Sequence, residues 1–308
     1  MSQPKVNILL ATYNGEKFLK TQLDSLIEQT YENIDIYVRD DCSTDNTVEF
    51  IKNYIESNKS GKRIILLENN GVNLRPPKSF YQIARECEPA EYYAFCDQDD
   101  VWDNDKLSIA IQSLEKFDHL VPNLYFSNLR MVDDTLSYIR DFYNEKEVDI
   151  DNKLSLVQIF TYGCTCVFNQ SALSIYCKVN NKSFHDNWIY IICSFMGNVF
   201  YDSSAHIQYR QHNSNLSGHK TTGLGLLRSR LYRPFKGNLG HDFEFLAIQL
   251  LQVSFENTLS DKYKIARNIA NYRTNIISRL FLFFSPSYCT GNFVKDLCIR
   301  YRILFNCL

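Results

Sequence analysis

Three carboxylates stand within four residues at Asp97-Gln98-Asp99-Asp100. Carboxylates so close together repel unless a cation neutralises them, and hard oxygen donors suit Mg²⁺ or Mn²⁺. Such an ion needs few protein ligands when phosphate oxygens and water complete its shell, which fits a nucleotide diphosphate as the missing partner. The structural alternative is an Asp-rich cap for a helix ahead of Leu107. Three further polar groups have a similar character: Thr12-Tyr13-Asn14-Gly15, Asp40-Asp41 and Asn69-Asn70-Gly71. Each alone reads equally well as an ordinary turn, since Asp, Asn and Gly favour such places. It is their joint placement that points to a site.

The elements that must position these groups alternate between short apolar runs and helical patterns, which predicts a parallel sheet covered by helices. Val6 to Ala11, Ile34 to Val38, Ile64 to Leu67 and Tyr92 to Cys96 read as strands. A helix is predicted from Glu16 to Glu28. A second carries Val48, Ile51 and Ile55 on one face after a cap at Ser43 or Thr44, a third runs from Ser79 to Cys87, and a fourth carries Leu107, Ala110, Ile111 and Leu114. Each polar group then follows a strand, and ligands bind at the carboxyl ends of parallel strands in open α/β sheets. From Leu124 less regular strands are expected at Leu124 to Ser127, Cys164 to Phe168, Val199 to Tyr201 and Ile207 to Arg210, around a helix from Asp186 to Met196.

Ala11-Thr12-Tyr13-Asn14-Gly15, Arg39-Asp40-Asp41-Cys42-Ser43-Thr44-Asp45, Asn69-Asn70-Gly71, Asp97-Gln98-Asp99-Asp100 and His185-Asp186-Asn187-Trp188 resemble, in order, the motifs of glycosyltransferase family 2. The resemblance covers roughly residues 4 to 215 and is most like bacterial rhamnosyltransferase-type members. It implies an α/β GT-A fold: a Rossmann-like, mostly parallel sheet flanked by helices, with a helical carboxyl-terminal appendage. It further implies that Thr12, Tyr13, Asn14, Asp40, Asp41, Asn70, Lys78 and Asp97 hold the nucleotide. Asp99 and His212, the latter in Tyr209-Arg210-Gln211-His212, would hold Mg²⁺ or Mn²⁺, with His206 and His219 as competing histidines. Asp186 would be the general base, because direct inversion requires an acceptor hydroxyl to lose its proton as it attacks. An N-cap beside a buried Trp is the rival reading of Asp186. The sequence departs from the family pattern where Cys42 stands in place of a common Gly and where Val72 follows Asn-Gly.

The implied reaction is metal-dependent, inverting transfer of a sugar from a UDP- or dTDP-sugar to a glycan or polyprenyl-linked saccharide in bacterial surface-polysaccharide synthesis. A glycosidase also needs paired carboxylates but neither metal nor nucleotide. A non-catalytic nucleotide-sugar-binding or partner module on the same scaffold is the second alternative.

The 308 residues suggest a catalytic region over 1–220, with a nucleotide part to 118 and an acceptor part beyond it, and a helical region over 221–308. From Lys220 onward there are 13 Lys and Arg against 5 Asp and Glu. Arg228, Arg230, Arg233 and Lys236 interleave there with apolar residues, which suits either an anionic membrane surface or a solvated helical face. No signature of a nucleic-acid module accompanies the charge, so no nucleic acid is expected. The amino terminus lacks the features of a secretory signal, which predicts a cytoplasmic chain, with peripheral contact at the inner face of the plasma membrane through the tail. Leu280 to Phe284 is far too short to cross a bilayer. The ten cysteines are scattered through apolar runs without zinc spacing and read as reduced thiols.

Overall fold

In the computed structural model, Val6–Thr12 (β1), Ile34–Asp40 (β2), Arg63–Leu66 (β3) and Tyr92–Cys96 (β4) are parallel and lie in the spatial order β3-β2-β1-β4. The structure describes residues 3–144, 148, 150, 156, 159–179, 185–212, 242–254, 261–285 and 293–306. Strands covered by helices on both faces must be apolar on both, and every residue of β2 and β4 is buried. The helices between them are Leu19–Ile27 (α1), Thr47–Ser57 (α2), Lys78–Glu86 (α3) and, after β4, Lys106–Leu114 (α4). Val6, Ile8 and Leu10 share one face of β1 and join a core with Leu19, Leu23, Ile51, Leu107 and Leu114. The four βα units therefore stand where the apolar runs place them.

Two local expectations change. The helix expected from Glu16 begins at Leu19, because the preceding residues are engaged elsewhere: Gly15 N donates to Thr47 Oγ1 at 2.8 Å, and Glu16 accepts from Asn46 Nδ2 at 2.8 Å. Ser43 and Thr44 do not cap α2, whose first residue follows Asn46. The Ser43 hydroxyl instead donates to Asp40 Oδ1 at 2.5 Å.

Beyond β4 come Val101–Trp102 (β5), Asn123–Val132 (β6), Tyr138–Asp141 (β7), Val167–Asn169 (β8) and Asn198–Arg210 (β9). They extend the sheet as β4-β8-β6-β9-β5, with β7 paired to β6. The strand expected at Cys164 to Phe168 is half a 3₁₀ turn, Gly163–Thr165, and only then β8. The turn is held because the buried Lys106 Nζ donates to the Cys164 carbonyl at 2.8 Å. The two strands expected at Val199 to Tyr201 and Ile207 to Arg210 are one, β9, whose pairing with β6 shifts register at Ser127–Arg130. Extra residues in one strand of a pair bend it without ending it. Gln170–Tyr176 (α5) and His185–Met196 (α6) complete this part.

The chain divides into two units, Met1–Asp149 with Phe160–Ser214, and Ile150–Ile159 with Asn215–Leu308. The second contains Asp242–Val253 (α7), Asp261–Asn271 (α8), Ile276–Phe284 (α9) and Phe293–Leu304 (α10). Leu246, Leu250, Ala266, Ile269, Tyr272 and Leu282 are among its buried residues. The boundary expected near residue 220, the Arg228 to Lys236 cluster, His219, Cys289 and Cys307 lie outside the described residues. The eight described cysteines are free thiols. Among the described residues no helix is long and apolar enough to cross a membrane.

Candidate active site

The end of β2 is a closed hydrogen-bond system. Thr12 Oγ1 donates to Asp40 Oδ1 at 2.9 Å, Ser43 N donates to Asp40 Oδ2 at 2.8 Å, and both Thr12 and Asp40 are buried. Thr12 thus orients a carboxylate. Asp41 pairs with the buried Arg39 guanidinium, and its Oδ2 accepts from Arg75 N at 2.7 Å. Arg39 also donates to the Val72 carbonyl at 3.1 Å, so the pair clamps the loop after β3 against the end of β2. Cys42 has φ +63°, which explains why glycine is favoured at this position: only glycine enters that region without steric cost.

The loop after β1 is tied to the loop after β4. The Gln98 side chain accepts from Tyr13 N at 2.8 Å and donates to Tyr13 O at 3.0 Å. A Cβ on Gly15 would stand 2.4 Å from Gln98 Oε1, so a larger residue here would displace the Gln98 amide that ties the two loops. Asn14 Oδ1 accepts from Thr44 N at 2.8 Å, joining the same loops to the start of α2. Tyr13 is 47% exposed, and its aromatic ring is of the kind on which a base can stack. Asn70 and Lys78 are exposed, one in the loop after β3 and one at the first position of α3, where Lys78 N donates to the Arg75 carbonyl at 2.9 Å and leaves its ammonium toward solvent.

Crowded carboxylates fill the end of β4. Burial, then the charges of Asp99 and Asp186, push Asp97 up to about 7. Asp100 is fully buried and raised well above the usual carboxylate range by burial and by Asp99 and Asp97. Asp99 Oδ2 lies 2.7 Å from His212 Nε2, which brings together the two residues expected to hold a metal. A carboxylate and an imidazole with their donor atoms adjacent, beside further acidic groups, fit Mn²⁺ well, and Mg²⁺ where phosphate and water supply the remaining oxygens. Asp97, Asp100 and the Cys164 thiol also lie within 4.8 Å of one another, but the buried thiol suits neither ion. His206, the competing histidine, is bonded to Asp202 at 3.1 Å.

Asp186 opens α6. Burial pushes its carboxyl up to about 6, opposed by backbone N–H groups that include those of Asn187 and Gly163. Asn187 N donates to Asp186 Oδ1 at 2.8 Å. Its neighbour His185 anchors the helix start in an aromatic cluster, stacked on Phe80 with ring centroids 3.9 Å apart and edge-on to Phe95 at 4.7 Å. A Cβ on Gly163 would meet His185 Nε2 at 2.3 Å, so glycine again permits the fit. Burial lowers the His185 pKa to about 3, leaving a neutral wedge beside the candidate base.

Three supporting residues were not singled out from the sequence. Arg39 stands two positions from Asp41 at a strand end, a spacing at which side chains share one side. Lys106 is spaced with Ala110 and Leu114 at i, i+4 and i+8, which marks it as inward-facing. Its ammonium lies over the Trp102 ring, 3.1 Å from the centroid, and burial lowers its pKa to about 8. Arg210 stands two positions before His212 in the Tyr209-Arg210-Gln211-His212 segment, where the resemblance allows either a His or an Arg to face the diphosphate or metal. Its backbone N donates to Asp100 Oδ1 at 3.1 Å and its Nε to the Asp99 carbonyl at 2.8 Å, so it fixes the acidic loop from the end of β9.

The model of the family described as Glycosyl transferase family 2 matches residues 7–176. RfbG of Shigella flexneri, described as a dTDP-rhamnosyl transferase, is 31% identical over 248 residues, 73% of this chain and 81% of that protein. WfaP of Escherichia coli, described as UDP-Glc:alpha-D-GlcNAc-diphosphoundecaprenol beta-1,3-glucosyltransferase, is 34% identical over 169 residues, 55% of this chain and 58% of that protein. Among solved structures, the mannosyltransferase PcManGT of Pyrobaculum calidifontis, in complex with GDP-Man and Mn²⁺, aligns with a TM-score of 0.54 at 16% identity. The alignment covers 99% of this chain and 88% of that one.

Proposed function

We propose a specific reaction for this chain, which belongs to glycosyl transferase family 2 and is a glycosyltransferase of the GT-A fold. It transfers a sugar, with inversion, from a UDP- or dTDP-sugar to a hydroxyl of a glycan or polyprenyl-diphosphate-linked saccharide in bacterial surface-polysaccharide synthesis. The observation that carries this reading is that the Gly163–Thr165 turn joins the acidic loop to the candidate base: the Cys164 thiol lies within 4.8 Å of carboxylate oxygens of Asp97 and Asp100, and the adjacent Gly163 N–H donates to Asp186. The pyrimidine donor is supported by the dTDP and UDP-Glc in the names of RfbG and WfaP, and the lipid-linked acceptor by that of WfaP.

Tyr13 stacks on the base, while Asp40 and Asp41, held by Thr12, Ser43, Arg39 and Arg75, keep the shape of the nucleoside pocket around Asn14 and Asn70. Asp97 accepts from the ribose, and Lys78 reaches toward the diphosphate. Asp99 and His212 would hold Mg²⁺ or Mn²⁺, the latter being the ion in complex with PcManGT, and the ion would supply charge neutralisation for the departing diphosphate. Asp186 takes the proton of the acceptor hydroxyl as that oxygen bonds to the anomeric carbon and the carbon–oxygen bond to the diphosphate breaks. A carboxyl raised to about 6 is still mostly ionised at neutral pH and is a stronger base than an ordinary aspartate.

Calorimetric titration with UDP, dTDP, GDP and CMP, with and without Mn²⁺, tests the donor side. Metal-dependent binding of UDP or dTDP is expected, and binding of GDP alone would overturn the donor assignment. Turnover of the donor so identified on a polyprenyl-diphosphate saccharide, with the anomeric configuration of the product read by NMR, tests inversion; a retained configuration would overturn it.

A further inference from the structure

The second unit carries its large apolar side chains on the outside of two consecutive helices. In α9 and the residue after it, Ser278, Leu282 and Ser285 are buried, whereas Ile276, Ile277, Leu280 and Phe284 are 60%, 73%, 49% and 71% exposed. At about 100° of turn per residue, these four fill an arc of about 100° with no polar residue inside it. A water-facing helix has the opposite arrangement, polar residues outward and large apolar ones inward. The next helix, α10, does something similar. Val294, Leu297, Leu304 and the adjoining Phe305 are roughly half exposed and occupy another arc of about 100°, with Ile303 buried on the far side. Single exposed apolar residues are ordinary, but sorted faces of this kind mark a surface that something covers.

Charge identifies the occupant. The chain from Lys220 onward has 13 Lys and Arg against 5 Asp and Glu. Cations also border the two faces: the Arg300 guanidinium donates to the carbonyls of Phe283 and Ser285, and Arg279 donates to Asn306 Oδ1 at 3.2 Å. Two copies of so basic a unit repel each other, whereas an acidic phospholipid surface attracts it. We propose that α9 and α10 form a docking face for anionic lipid, lying in the headgroup boundary with Ile276, Ile277, Leu280, Phe284, Leu297 and Leu304 against the acyl chains. Nine residues of α9 rise only about 14 Å, so the helix lies on a bilayer and does not cross it. The proposal stands on the second unit alone and does not rest on the transfer reaction.

Flotation of the full chain with vesicles of phosphatidylcholine, and of phosphatidylcholine mixed with phosphatidylglycerol, tests this. Binding to the mixed vesicles alone is expected, weakened by high salt and reduced roughly tenfold or more by Ile277→Glu with Phe284→Glu, or by Leu297→Glu with Leu304→Glu. Circular dichroism establishes that these variants are folded. Hydrogen exchange of the unmodified chain gives a variant-free readout, with slower exchange in 276–284 and 294–305 expected on addition of mixed vesicles. Equal binding to both vesicles, no binding, or unchanged binding by the folded variants would overturn the proposal. So would a stable dimer of the unmodified chain in sedimentation that the same substitutions dissolve, because the face would then belong to a second copy.

Discussion

Two groups of aspartates, at the ends of β2 and of β4 on either side of β1, are held in opposite ways. At the end of β2, Asp40 and Asp41 are buried with partners for their oxygens: Thr12 and Ser43 for one, Arg39 and Arg75 for the other. At the end of β4 and the start of α6, Asp97, Asp100 and Asp186 are pushed toward the protonated form by burial, Asp97 also by the charges of Asp99 and Asp186, and Asp100 by those of Asp99 and Asp97. Satisfied carboxylates keep a pocket's shape, and crowded ones hold a tension that a cation or a proton relieves. On the proposed reaction, the first group is scaffold and the second is the reacting part of the site.

The sharpest way to break that contrast is Asp186→Asn. If Asp186 takes the acceptor proton, turnover should fall about 10²–10⁴-fold, the usual range for removing a general base. Nucleotide affinity, measured by calorimetry, should change little. Unchanged turnover with intact binding would return Asp186 to the role of a helix cap. The matching test on the other group is Arg39→Ala, which leaves Asp41 buried without its counter-charge and should destabilise the fold by about 3–5 kcal/mol in urea unfolding. A variant of normal stability would show that Asp41 is not scaffold.

The scaffold group and the reacting group were not equally legible in the sequence. Apolar runs such as Val6 to Ala11 and Tyr92 to Cys96 announce buried strands, and the polar residues just after them announce the site, because chain order places a parallel strand's end where the crevice lies. What each polar residue does there depends on partners far away in sequence. Thr12 orients Asp40 from 28 positions away, and His212 meets Asp99 from 113. The 3₁₀ turn at Gly163–Thr165, closed locally by Thr165 on the Tyr162 carbonyl, is likewise fastened by Lys106 from 58 positions away. Arg39 and Lys106 did leave a signal in their spacing, but a charged residue at an inward position reads as an error in a pattern until its partner is seen.

A smaller effect should separate the metal limb from both groups. His212→Ala removes one of two adjacent donors and should weaken Mn²⁺ activation by roughly 10–100-fold, the scale at which single interactions around a metal site act. Nucleotide binding without metal should be preserved. An activation curve that does not move would place His212 outside the metal shell and leave Asp99 to act with other groups.

The smallest effect, and the one that joins the two halves of the contrast, is a dependence on pH. Asp186 has its pKa raised from 3.8 to about 6 by burial. A carboxyl raised on folding contributes stability at low pH that is lost as pH rises from its unfolded value through its folded one. The native chain should therefore lose stability relative to Asp186→Asn between about pH 4 and pH 6, with a gap of roughly 1–3 kcal/mol above that window. Activity should move the other way, because only the ionised carboxyl accepts the acceptor proton: kcat/KM should climb with pH on an acidic limb near 6. Unfolding of both proteins across pH, set beside the rate profile of the native one, reads the two curves together. Coincident and opposite curves would mean that one carboxyl carries both the strain and the chemistry. An acidic limb near 4 with no widening stability gap would show instead that Asp186 titrates as an ordinary solvated aspartate, and the distinction from Asp40 and Asp41 would then rest on Asp97 and Asp100 alone.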